Sequence, residues 1–185
     1  MKTFFRGLAA AFLASLLTAC PETTVDDDFG LKPAVLNAKD WDGAWEAVND
    51  DDEMKFTVVD TAAGVMVVSE PGKKDDKPIE FKLRRAVAGE KVKLLFAVAR
   101  ERGGKRAGAS LFLMREAEEG VLYSWMIDHD AVAAAIKAGQ LKGVVKPDKD
   151  GAHSHLESTT ANYAKLLEPQ FWNWSEPTCL KRLKK

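Results

Sequence analysis

Apolar and polar residues alternate with a period of two through most of the stretch from Asp40 to Ile127. In PIEFKLRR, Ile79, Phe81 and Leu83 share one face while Glu80, Lys82 and Arg84 share the other. Strict alternation of this kind marks a strand with one buried and one wetted face. KVKLLFAVAR reads the same way, with Val92, Leu94, Phe96 and Val98 assigned to the inner face. Further runs are GAWEAV (43–48), MKFTVVD (54–60), GVMVVSE (64–70), ASLFLMRE (109–116) and VLYSWMI (121–127). The segments between them, such as NDDDE, PGKKDDK and RGGKRAG, hold glycine or clustered polar turn formers. Parallel strands need crossovers of a dozen or more residues, which these joints cannot supply. The pattern therefore predicts an antiparallel up-and-down meander that hides its apolar face by closing into a barrel or a strongly curved sheet.

After Ile127 the period changes. DHDAVAAAIKAGQLKG predicts an alanine-rich helix with Asp130 as N-cap and Gly139 as its stop. A second helix is expected over 158–168, capped by Ser158 or Thr159 and ended by Pro169, with Tyr163, Leu166 and Leu167 packed on the barrel. LKGVVK (141–146) reads as one more short strand, and DKDGAHSH as a loop. The terminal FWNWSEPTCLKRLKK is aromatic and then basic, and its pattern assigns no element. The expected fold class is mainly β (α+β), with two short helices in the C-terminal third.

The first twenty residues follow another logic. Lys2 and Arg6 precede the apolar run GLAAAFLASLL, which ends in TAC. Charge, apolar core and small residues in that order are the parts of a secretory signal peptide, and the run is too short to span a bilayer. The order Leu17-Thr18-Ala19-Cys20 resembles the lipobox of bacterial lipoproteins. That resemblance implies diacylglycerol on the Cys20 thiol, cleavage before Cys20, and attachment to a membrane through acyl chains. It divides the chain into a signal peptide (1–19), a lipidated cysteine with an Asp-rich flexible tether (20–38), and one mainly-β domain (39–185). The implied location is a bacterial cell envelope, facing the periplasm or the cell surface. Pro21, where inner-membrane retention is usually associated with aspartate, favours the outer membrane.

Removing residues 1–19 from the 185 leaves 166, enough for one domain with its own core. The peptide takes two of 27 basic residues and no acidic ones, so 25 positive side chains face 28 negative ones in the mature chain. No basic stripe with interleaved aromatics accompanies this weakly acidic balance, which excludes nucleic acid as the expected partner. With Cys20 lipidated, Cys179 has no partner in the chain and is expected to be a small buried residue.

Candidate chemistry is sparse. Gly43 and Trp45, opening the first strand of the meander, resemble the Gly-x-Trp start of lipocalins. That resemblance implies an eight-stranded barrel plugged at one end by Trp45, and a carrier whose inner face, formed by Trp45, Ile79, Phe81, Leu83, Val92, Leu94 and Phe96, holds a small apolar ligand. Between Asp148 and Glu157 the chain carries Asp150, His153 and His155. Two imidazoles at His-x-His spacing face one way on an extended segment, which makes His153 and His155 metal candidates and the 148–157 loop the seat of any metal-dependent or hydrolytic activity. No cysteine pair accompanies them, the calcium-loop pattern lacks its closing glutamate, and neither Gly-x-Ser-x-Gly nor Ser-x-x-Lys occurs. Phe171, Trp172 and Trp174 are crowded within four positions and form a candidate partner patch. These readings favour a lipid-anchored, non-catalytic interaction or accessory module with no cofactor, bound to the membrane through Cys20 and open to an envelope protein. The lipocalin-like carrier and the enzyme are the alternatives.

Overall fold

The computed structural model describes residues 22–48, 53–72, 77–88, 94–104, 108–148 and 151–183. The expected signal peptide (1–19), Cys20 and Val92 lie outside them. Among the described residues, the expected meander is present as β2 (Gly43–Ala47), β3 (Glu53–Asp60), β4 (Val65–Ser69), β5 (Ile79–Arg85), β6 (Leu94–Glu101), β7 (Ala109–Glu118) and β8 (Val121–Met126). Each pairs antiparallel with the next. An eighth strand, β11 (Thr178–Arg182), lies between β8 and β2 and closes the barrel. It comes from the terminal segment whose aromatic crowding had obscured a short alternation, in which only Leu180 is fully inside.

The 20–38 tether is corrected by the structure from Glu22 onward. Glu22–Val25 form β1, which pairs antiparallel with the start of β7 through Thr24↔Ser110 and Val25↔Ala109. On its other side β1 runs parallel to β10 (Gly151–Leu156), which forms a hairpin with β9 (Gly143–Asp148). The loop expected around DKDGAHSH is thus a pair of strands, because Ser154 and Leu156 alternate with the histidines and are buried. Phe29 is wholly buried, and Asp27 meets Arg100 at 2.6 Å and Lys82 at 3.2 Å. Aspartates that look like a solvated spacer in the sequence include one that clasps β5 and β6. Residues 31–36 then run along β5, with Ala34 N donating to Leu83 O and Leu83 N donating to Gly64 O. Gly64 sits at φ +68°, where an added Cβ would lie 2.6 Å from both Ala34 O and Leu83 O, so this crossing needs glycine.

Three α-helices complete the described residues. Ala38–Trp41 (α1), capped by the Asn37 side chain on Lys39 N, precedes the first barrel strand and buries Trp41. His129–Lys137 (α2) is capped by Asp128, which accepts from Ala131 N, two residues before the expected cap. Thr160–Lys165 (α3) is shorter than the expected 158–168 and is followed by a 3-10 turn at Pro169–Phe171.

The buried residues fall into two clusters on opposite faces of β6 and β7. One fills the barrel, with Trp45, Met54, Phe56, Met66, Phe81, Phe112 and Met114 among its members. The other lies outside the barrel and joins Phe96, Val98, Leu111 and Leu113 to Val25, Phe29, Tyr163, Leu166, Phe171 and Trp172. This overturns the inner-face assignment of Leu94, Phe96 and Val98. The residues of β6 that enter the barrel are Leu95, Ala97 and Ala99, whereas Phe96 points outward and packs edge-on to Phe29 with centroids 5.6 Å apart. A strand buried on both faces has no polar side to set its phase, so period-two reasoning cannot say which set is inside.

Candidate functional site

The barrel interior is built around Trp45. Its ring stacks on Phe56 at 5.1 Å, and its indole N–H donates to Trp41 O at 2.9 Å, tying the barrel to α1. Arg182, opposite Trp45 on β11, donates from its guanidinium to Lys39 O and Asp42 O and fixes α1 over this end. Ile79, Phe81 and Leu83 point inward as expected, and Phe81 meets Phe112 at 6.3 Å over the small Ala97 and Ala99 of the intervening β6. The Ser124 hydroxyl also lies inside, buried and without a hydrogen-bond partner among the described residues.

The second site is a histidine seam beside β1. His153 and His155 do share one face of β10, opposite Glu22 and Thr24 of β1 and Lys146 and Val144 of β9. His155 Nδ1 lies 3.1 Å from Thr24 Oγ1, and its Nε2 lies 3.4 Å from Asp26 Oδ1. The Thr24 hydroxyl also donates to Ser154 O. These contacts stitch β1 to β10. Among the described residues no group of three or more His, Cys, Asp or Glu side chains is placed to hold a metal ion.

A third histidine escaped the sequence reading. The Thr23 backbone N–H donates to His129 Nδ1 at 2.9 Å, so the imidazole must be neutral there, with its proton on Nε2. Burial pushes the His129 pKa below 6.5 against the opposing charges of Asp128 and Asp130. No local motif marks such a residue. Only the docking of β1 against α2, a contact between distant parts of the chain, supplies its partner.

No family model, curated protein or solved structure matches this chain. The sites must speak through their own geometry.

The expected patch of Phe171, Trp172 and Trp174 is divided by the fold. Phe171 and Trp172 are buried, and Trp172 stacks on Phe96 at 6.2 Å while its indole donates to Leu166 O. They complete the outer core, because β6 and β7 present apolar side chains there as well as inside. Trp174 stays 42% exposed. It packs on Trp125 at 4.9 Å, and Trp125 stacks on Tyr123 at 6.1 Å, making a three-ring step on the outside of β8. Cys179 stands opposite Tyr123 in the β8–β11 register, half-buried rather than fully enclosed as expected. A hydrogen bond with Cys179, with burial and the nearby Glu118 carboxylate, pushes the Tyr123 phenol pKa above 10.

Proposed function

We propose that this chain is a lipid-anchored, non-catalytic accessory protein of a bacterial cell envelope. Acyl chains on Cys20 hold it to the membrane, and its barrel serves as a rigid body rather than a container. The observation that carries the second half is the packing of the interior, where Trp45, Phe56, Phe81, Phe112, Met54, Met66 and Met114 are all buried in one cluster, with Trp45 stacked on Phe56 and Phe81 against Phe112. Side chains this large commonly fill eight-stranded barrels by themselves. The anchoring half rests on the LTAC run behind its basic and apolar leader. No described helix is long and apolar enough to cross a membrane.

A second reading is a lipocalin-like carrier of a small apolar ligand. It draws on Gly43 and Trp45 opening the first strand of an eight-stranded barrel, and on the unpartnered Ser124 hydroxyl inside. Native mass spectrometry of the protein released gently from its membranes separates the two. A self-filled accessory barrel gives the mass of the lipidated chain alone. A carrier retains a stoichiometric apolar molecule, and that result would replace the accessory reading.

A further inference from the structure

Resting on the anchored reading, we infer that the Tyr123–Trp125–Trp174 step is a membrane-contact surface that lies in the headgroup layer and orients the barrel on the bilayer. Only Pro21 separates Cys20 from Glu22, and Glu22 already belongs to β1. Two residues span at most about 7 Å, so the lipidated atom cannot stand far from the folded domain. Without a spacer, one flank of the barrel must meet the lipid.

The register identifies that flank. β1 pairs with β7 through Thr24↔Ser110, which, continued by two residues, sets Glu22 level with Phe112. Phe112 is where β7 passes from β1 to β8, through Phe112↔Met126, and Trp125 stands opposite the next residue, Leu113. The N–H of Thr23 on His129, three residues after Met126, holds the strand at this place. The chain therefore enters the domain beside the end of β8, whose outward side chains are Tyr123 and Trp125. Asn173 N donates to Met126 O, and this bond lays Trp174 on the same flank.

The chemistry of the step fits that location. Tryptophan and tyrosine favour the membrane interface, where an apolar ring meets lipid and a polar tip meets water. The exposed side chains near it mix both signs, Asp128, Asp130 and Glu176 with Arg115 opposite Tyr123 and Lys181 on β11, a balance that suits zwitterionic rather than anionic headgroups. Trp41, Trp45 and Trp172 are buried, so Trp125 and Trp174 are the rings lipid can reach.

Fluorescence quenching tests this. The full lipidated chain is reconstituted into phosphatidylcholine vesicles whose acyl chains carry bromine near the headgroup, and co-flotation with the vesicles is scored alongside tryptophan emission. The expected result is flotation with clear quenching, and a twofold or greater loss of the quenchable emission in Trp174→Ala. A floating protein whose tryptophans are not quenched, or whose quenchable emission falls by less than twofold in Trp174→Ala, overturns the membrane contact and turns the step toward a protein partner. Failure to float overturns the anchoring itself, and the contact with it.

Discussion

His129 shows how one side chain can join a terminal strand to a helix. Its Nδ1 accepts the Thr23 amide, a bond that a protonated imidazole cannot make. Because the folded pKa lies below 6.5, the unfolded chain binds more protons as the pH drops through that value. The His129 contribution is therefore complete above pH 6.5 and declines as the pH falls toward the folded pKa. Replacing His129 with Leu should cost about 1–2 kcal/mol at neutral pH, since a partly buried amide loses its acceptor. It should also flatten the stability profile in that window, as read from denaturant melts at several pH values. Asp27 acts in a lower window. Burial works to raise its pKa, but Lys82 and Arg100 prevail and hold it below 3.8, so its support is lost only as the pH falls through the folded value.

At the scale of elements, β1 decides between a tether and a structural strand. Val25 has no solvent exposure and packs in the outer core with Leu156 and Leu111. Val25→Asp should cost about 3 kcal/mol or more, because it buries an unpaired charge. At a tether position the same change should fall within about 0.5 kcal/mol, and equilibrium unfolding in urea tells the two apart.

Seven barrel strands were legible in their alternation and turns. β5 is the clearest, since its charged residues mark the outer face without ambiguity. The phase of β6 was not legible, because Phe96 and Val98 are buried as fully as Ala97 and Ala99. The long-range elements also escaped. β1 looks polar until β10 and β7 flank it, and β10 hides its short buried row between two histidines. The same limit governed the sites. Trp45, Ile79, Phe81 and Leu83 could be placed inside from local pattern, whereas the division of Phe171 and Trp172 from Trp174 depended on a second core that no single segment announces.

For the whole molecule, an eight-stranded barrel is flanked on one side by β1, the β9–β10 hairpin and helices α2 and α3, with an apolar cluster between them. The first described strand begins at Glu22, two residues after Cys20, so under the proposed anchoring the lipid would sit close to the barrel. In that proposed arrangement a lipid on Cys20 would do more than retain the protein, since it would also select the flank that meets the bilayer. Intact-mass spectrometry of the full chain, extracted with detergent from the membranes of an expressing bacterium, tests the anchor directly. The expected product is a chain that begins at Cys20 and carries diacylglycerol there, commonly with a further acyl group on the new amine. An unlipidated chain, beginning at Met1 or cut at another residue, would contradict it.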